Sequence, residues 1–195
     1  MKIIIPAQYM IINDFLPKEI NRSIFHFINQ NQHLYLERGT APDFPAQKGY
    51  AADKGFEQWQ ELIINEIRSR LQVVTKTLSV NLNVGNVECH VSAHLNKGFL
   101  GIHNDIFCMP TRVFTYVYYL HCLPCKFSGG QLRIYDAQID DFTLKTEKAG
   151  SCHHIEPKNN SCVFFGSPFY HEVLPVTCEH FMDGRFSFNG WVQSS

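Results

Sequence analysis

The chain has 195 residues, 17 basic and 18 acidic, for a net charge of -1, and 45% of its residues are hydrophobic. That balance gives no electrostatic footprint for nucleic acid and no polybasic surface for anionic lipid; the apolar content excludes a disordered chain, and the length suits one domain with a substantial core. The longest apolar stretch, VFTYVYYL at 113–120, falls far short of the ~20 residues that cross a bilayer, so no nucleic acid and no membrane is expected as a partner.

The opening segment MKIIIPAQYMII is interrupted by Pro6 and Gln8, and no small-residue cleavage site follows. It reads as a first strand around Tyr9 to Ile12 and not as a secretion signal. Pro17 sits where a first helical residue is tolerated, and Ile20, Ile24, Phe27 and Ile28 recur behind it at helical spacing. This predicts an amphipathic helix over 17–30. The stretch ERGTAPDFPAQKGYAADKG at 37–55 carries two prolines, three glycines and no period, which predicts a long loop. A second helix follows, with Phe56, Trp59, Ile63, Ile67, Leu71 and Val74 on one stripe.

From about residue 80 the texture changes to VECHVSAHL, FLGIH, RVFTYVYYL, GGQLRIYD, CHHIEP, SCVFFG, HEVLPV and GRFSFNGWV. These segments are short, aromatic or β-branched, and separated by turn residues, which predicts eight or so strands. No helix of crossover length alternates with them, so the sheet is mostly antiparallel and a jelly roll is expected. The expected fold is mainly β with N-terminal helices packed on one sheet. It is a single domain over 1–195, with helical support over about 1–80 and a jelly-roll core over about 81–195.

Seven cysteines, at 89, 108, 122, 125, 152, 162 and 178, are an odd number, and most lie inside strand-like segments. This favours a reducing compartment and a cytoplasmic setting. HCLPC places Cys122 and Cys125 at zinc-like or redox-like spacing, but no second C-x-x-C accompanies it. The segment reads as a hairpin loop, and CHH at 152–154 as strand.

GIHNDIFC at 101–108 sets His103 and Asp105 two apart in an extended segment, so both project from one face. Alone, an H-x-D is commonplace on a solvated face. FYHEVLPV places His171 in another strand, directly after a Gly-Ser-Pro turn at 166–168, and a jelly roll brings distant strands side by side. Two imidazoles and a carboxylate on one face of a metal leave other positions open, an arrangement suited to ferrous iron, although zinc accepts the same ligands.

The succession of H-x-D, RVFTYVYYL, SGGQLRIYD, FFGSPFYHEVLPV and GRFSFNGW resembles the iron(II)- and 2-oxoglutarate-dependent dioxygenases of the prolyl-4-hydroxylase group over about residues 85–193. The resemblance implies a double-stranded β-helix with His103, Asp105 and His171 as iron ligands. It also implies Arg185 as the partner of the far carboxylate of 2-oxoglutarate and Tyr119 as a phenol sharing that carboxylate. Arg185 stands 14 residues after His171, a longer gap than in many members, with TCEHFMDG as an enlarged turn. Many members carry a tyrosine shortly before the H-x-D, where this chain has AHLNKG; His94 stands near that position, either to hydrogen-bond the cosubstrate or as an ordinary polar residue. The residues agree with this outline. A guanidinium binds a carboxylate through a planar fork, and strand alternation puts Arg185, Ser187 and Asn189 on one face against Phe186 and Phe188 on the other. Ser187 can then add a hydroxyl to the same pocket. Likewise Thr115, Val117 and Tyr119 share a face opposite Tyr116 and Tyr118.

By the same resemblance the cofactors are Fe(II), 2-oxoglutarate as cosubstrate and O2, with ascorbate as a stimulant. The reaction is hydroxylation of an unactivated C–H bond in an amino acid, a peptidyl residue or a small natural-product intermediate, releasing succinate and CO2. A carboxylate at Asp105 favours hydroxylation, or a desaturation or cyclisation that starts with the same hydrogen abstraction, over halogenation. The 37–55 loop, Arg112 and IFCMP at 106–110 are expected at the mouth of the site. Two other classes stay open from the residues alone: a cupin-like metal-dependent enzyme without 2-oxoglutarate, and a non-catalytic jelly-roll binding module.

Overall fold

A computed structural model describes residues 2–40, 45–80, 83–107, 109–140 and 146–195. In chain order the elements are β1 (Lys2–Ile5), β2 (Tyr9–Ile12), α1 (Lys18–Gln30), β3 (Leu36–Gly39), β4 (Gln47–Ala52), α2 (Glu57–Thr77), β5 (Val84–Val87), β6 (His90–His94), β7 (Phe99–His103) and β8 (Arg112–Leu120). They continue as β9 (Ser128–Gly129), β10 (Leu132–Asp140), β11 (Thr146–Ile155), β12 (Cys162–Gly166), β13 (His171–Val173), β14 (Val176–Thr177) and β15 (Arg185–Ser194). No helix among the described residues is long and apolar enough to cross a membrane.

The strands pair antiparallel throughout, and the order β10-β13-β7-β4-β6-β15-β8-β12 curls into two facing layers. One layer holds β11, β10, β13 and β7. The other holds β6, β15, β8 and β12, and β4 bridges them by pairing with both β6 and β7. The jelly-roll expectation is met, with the helices on one side of the second layer.

Side-chain alternation explains that arrangement. On β8, β12 and β15 every second residue, including Tyr116, Tyr118, Phe164, Phe186 and Phe188, joins a core with Ile24 and Ile28 of α1 and Ile63, Ile67, Leu71 and Val74 of α2. The residues between them, Val117, Tyr119, Val163 and Phe165, face the barrel interior with Leu132, Ile134 and Ile155. A buried polar network pins α1 to this layer. Asn21 donates to the Tyr118 hydroxyl at 2.8 Å, Tyr118 donates to Asn160 Oδ1 at 3.0 Å, and Asn160 donates to the Leu16 carbonyl at 2.9 Å.

The stretch 37–55 is not one long loop. Residues 36–39 and 47–52 form the β3–β4 hairpin, and β4 is the strand that joins the two layers; positions 41–44 lie outside the described residues. QKGYAA has no apolar alternation to mark it as a strand, and besides its hairpin partner β3 its pairing strands, β6 and β7, come from far along the chain. The region after residue 80 holds eleven described strands instead of eight, the extra ones including the two-residue β9 and β14. The first 80 residues contribute four strands as well as the two helices.

Phe188 is fully buried between the sheet and α2. Phe188→Ala is expected to lower unfolding stability by about 3–5 kcal/mol, measured as a shift in urea midpoint at unchanged slope.

Candidate active site

The β7–β13 pairing sets His171 directly across from His103 on the interior face. Their rings lie 4.2 Å apart, centroid to centroid. Asp105 follows β7, its backbone N–H donating to the Ser167 carbonyl at 3.1 Å, so that the chain turns the carboxylate back over the imidazoles. Asp105 Oδ1 is 3.5 Å from His103 Nε2, and Oδ2 is 3.4 Å from His171 Nε2. The three ligand atoms all fall within 4.8 Å of one another, and no other trio of His, Cys, Asp or Glu among the described residues is so arranged.

The local hydrogen bonds prepare these groups for a cation. His103 Nδ1 lies 2.8 Å from the Gly101 carbonyl, and His171 Nδ1 lies 3.0 Å from the Phe169 carbonyl. A carbonyl only accepts, so each Nδ1 carries the proton and each Nε2 lone pair is left for a metal. Burial, then the neighbouring His171, holds the His103 imidazole down at about 4, so it is neutral at neutral pH. Burial pushes the Asp105 carboxyl up, but His171, His103, Thr115 and Trp191 together outweigh it and keep it ionised. Thr115 Oγ1 donates to Asp105 Oδ2 at 2.6 Å and lies 3.1 Å from Ser167 Oγ. Two imidazoles and one carboxylate, oriented by a second layer, form a donor set that fits a divalent transition ion.

Deeper in the barrel Arg185 is 1% exposed. Its β15 position is directly across from His94 on β6, and its Nη1 donates to His94 Nδ1 at 3.2 Å. Burial and the guanidinium hold His94 down at about 3, so the ring is neutral, accepts at Nδ1 and carries its proton on Nε2. Arg185 Cζ stands 4.8 Å over the Tyr119 ring. Burial raises the Tyr119 phenol, with Arg185 opposing, so it remains a donor. Neither the Tyr119 hydroxyl nor Arg185 Nε has a hydrogen-bond partner among the described residues. A buried ion with no carboxylate partner among the described residues, beside a donor with no acceptor among them, is costly alone. They fit the carboxylate end of a dicarboxylate cosubstrate.

Two glycines explain the SGG motif. Gly129 turns the chain at φ 76° with no room for a Cβ against the Pro175 carbonyl, and a Cβ on Gly130, at φ 70°, would stand 2.9 Å from Arg185 Cδ. Gly130 therefore leaves the space in which the arginine stem lies.

Of the residues singled out from sequence, His103, Asp105 and His171 converge, and Arg185, Tyr119 and His94 form the deeper group. Ser187 is buried on the same face, its hydroxyl 3.4 Å from Asn189 Oδ1. The gap before Arg185 is filled by β14 and a single helical turn at 181–183, whose Phe181 packs on Tyr35 and Phe186. Cys108, within the IFCMP segment, lies outside the described residues. Ser167 and Trp191 were not foreseen. Trp191 shares the face of Arg185 at even spacing, a signal present in GRFSFNGWV, whereas the Ser167 carbonyl and hydroxyl are brought to Asp105 only by the fold.

A jelly roll with two imidazoles on paired interior strands and one carboxylate just beyond them, over a buried guanidinium that has no carboxylate partner among the described residues, defines the class of mononuclear non-haem metal oxygenases. The chain matches the model of the 2OG-Fe(II) oxygenase superfamily over residues 89–193, and it belongs to that family. It is 32% identical over 201 residues to a PKHD-type hydroxylase of Synechocystis sp., itself uncharacterized; the match covers 98% of this chain and 65% of the relative. Among solved structures it resembles a prolyl-4-hydroxylase of Pseudomonas putida (TM-score 0.63, 21% identity, 97% of this chain and 94% of the other). It also resembles a prolyl hydroxylase of Trichoplax adhaerens in complex with a hypoxia inducible factor oxygen degradation domain peptide (TM-score 0.68, 18% identity, 95% and 83%). At these identities the two structures support the fold.

Arg185→Met keeps the stem and removes the buried charge. In the absence of ligands it is expected to unfold at an equal or higher urea concentration than the wild type, since an uncompensated buried ion costs several kcal/mol.

Proposed function

We propose that residues 1–195 act as one Fe(II)- and 2-oxoglutarate-dependent dioxygenase domain hydroxylating an unactivated C–H bond, with an amino acid or peptidyl residue as the favoured substrate over a small natural-product intermediate. The observation that carries this reading is the buried guanidinium of Arg185, without a carboxylate partner among the described residues, beside the Tyr119 hydroxyl, which has no hydrogen-bond partner among them. A metal site working without a dicarboxylate has no use for that pair. The prolyl hydroxylases among the structural relatives, one of them held with a peptide, support the substrate class. The odd number of cysteines supports a reducing, cytoplasmic setting.

In this reading His103, Asp105 and His171 hold Fe(II) through Nε2, a carboxylate oxygen and Nε2. Arg185 and Tyr119 bind the far carboxylate of 2-oxoglutarate, one by charge and fork geometry and the other by a phenolic hydrogen bond. His94, neutral and accepting from Arg185, fixes the rotation of the guanidinium, and Ser187 supplies a neighbouring hydroxyl. Bound iron and 2-oxoglutarate supply the activation of O2, one oxygen atom going to the substrate C–H and the other leaving in succinate as CO2 departs. The interior apolar side chains, Val117, Ile134, Val163 and Phe165, keep water from the cosubstrate. Substrate choice belongs to the rim, including Arg112 and the exposed Phe107.

Anaerobic addition of Fe(II) and 2-oxoglutarate is expected to give a visible charge-transfer band. Asp105→Ala abolishes it through loss of metal, and Arg185→Met keeps metal binding but weakens 2-oxoglutarate at least about thirtyfold. A wild-type protein that binds metal and ignores 2-oxoglutarate would overturn the proposal in favour of a cupin-like site. Gly130→Ala should raise the KM for 2-oxoglutarate roughly tenfold to a hundredfold by displacing Arg185, with Fe(II) affinity unchanged. A screen of peptides and free amino acids, run with ascorbate and read as succinate plus a mass gain of one oxygen, identifies the substrate.

A further inference from the structure

The HCLPC motif at 121–125 lies in the connection between β8 and β9, apart from the His–Asp–His group. Among the described cysteines Cys125 is the exposed one, and Cys122 is half-buried. The chain bends at Leu123 and Pro124, and the Cys122 S–H donates to the Pro124 carbonyl at 3.4 Å. That carbonyl belongs to the peptide group whose nitrogen is Cys125's own, so the first thiol already lies against the backbone of the second. A disulfide spans Cα atoms about 4.4–6.8 Å apart, the separation that a tight bend sets between its first and fourth residues. Cys125 Sγ donates to the Phe127 carbonyl at 3.5 Å, a weak bond at the surface that leaves the side chain free to change rotamer.

Cys125 also lines a cavity of about 670 Å³, together with Phe127 and Gly129, and this volume is that of a small-molecule site. On its walls stand three cations, Lys18 and Arg22 of α1 and Lys158, and two carboxylates, Asp14 and Glu156. None of the three cations makes an ion pair or a side-chain hydrogen bond among the described residues. Glu156 is engaged, accepting from Gln131 at 3.2 and 3.3 Å. Walls of this kind suit a ligand with more carboxylates than ammonium groups, because a cleft of one predominant sign concentrates the opposite one. A tripeptide thiol of the glutathione type has that balance, two carboxylates to one ammonium, with its sulfur on the middle residue.

We infer that Cys125 is a thiolation site for a glutathione-type disulfide held in this cavity, with Cys122 as the resolving thiol. The Cys125 thiolate attacks one sulfur of the bound disulfide and expels the other half as a thiolate, which leaves a mixed disulfide. The Cys122 thiolate then attacks Cys125 Sγ and expels the second half. Two protein thiols become one disulfide, two electrons reduce the bound disulfide to two thiols, and the two protein protons pass through water to the departing thiolates. In a reducing compartment such a bond is transient and follows the thiol balance. The inference stands independently of the metal and 2-oxoglutarate reading.

The test treats the whole reduced chain with oxidised glutathione and reads intact mass and peptide maps. The expected course is a glutathione adduct on Cys125, then its loss as a Cys122–Cys125 disulfide forms, all reversed by dithiothreitol. Cys122→Ser is expected to stop at the adduct, and Cys125→Ser to form neither product. The part played by the cavity is read against the uncharged hydroxyethyl disulfide, each rate being divided by that of free cysteine. On this scale the wild type is expected to react roughly tenfold faster with oxidised glutathione, and Lys18→Gln combined with Lys158→Gln to lose the preference. If a cysteine variant fails to melt cooperatively, the wild-type maps and rate ratio still decide. No adduct, an adduct chiefly on another cysteine, one that Cys122 never displaces, or a rate ratio unchanged in the lysine double variant would each overturn the inference.

Discussion

The pairing of β7 with β13 is the contact on which the site depends. Five residues of one strand and three of another, far apart in the chain, lie antiparallel so that His103 and His171 face each other. Because side chains alternate across a strand, a slip of one residue in this pairing would send one imidazole to the outer face and leave Asp105 with a single partner. The register is held from both sides. β10 pairs with β13 through Ile134 and His171, and β4 pairs with β7 through Gln47 and Leu100.

That precision is expensive in polar burial. Arg185, His94, Tyr119, Asp105, Thr115 and Ser167 are all buried in the barrel, where a missing partner costs more than a hydrogen bond returns. The compensation comes from the opposite face of the same strands. Tyr116, Tyr118, Phe164, Phe186 and Phe188 bury their rings against α1 and α2, and each large side chain removed from water contributes roughly 1.5–3 kcal/mol. The helices thus serve the chemistry without touching it: they stabilise the wall that holds the polar row in place.

The barrel interior is graded. At its base stand the guanidinium and phenol, above them the apolar belt of Val117, Ile134, Val163 and Phe165, and the imidazoles lie alongside that belt, with Phe165 edge-on to His171 at 4.8 Å. Toward the rim stand Asp105, Thr115 and Trp191. This order matches a ligand that is charged at one end and chelating at the other.

Several of these features were legible in the residues themselves. Alternation in RVFTYVYYL and GRFSFNGW assigned each side chain to its face before any contact was known, and the helical stripes of α1 and α2 announced the core they join. The His-x-Asp and the later histidine, with the arginine and tyrosine, carried the family resemblance. Pattern of this kind is local, since a pleat or a helical turn repeats every few residues and leaves its period in the chain. What the sequence did not reveal is whatever depends on partners far along it. β4 looked like loop because QKGYAA has no period of its own, and its place in the barrel comes from pairing with β6 and β7, far along the chain. Ser167 and Trp191 gained their places beside Asp105, and His94 its place under Arg185, only when β6, β8 and β15 came into register. Long-range pairing is decided by the sum of the whole packed core, and no short stretch of chain records it.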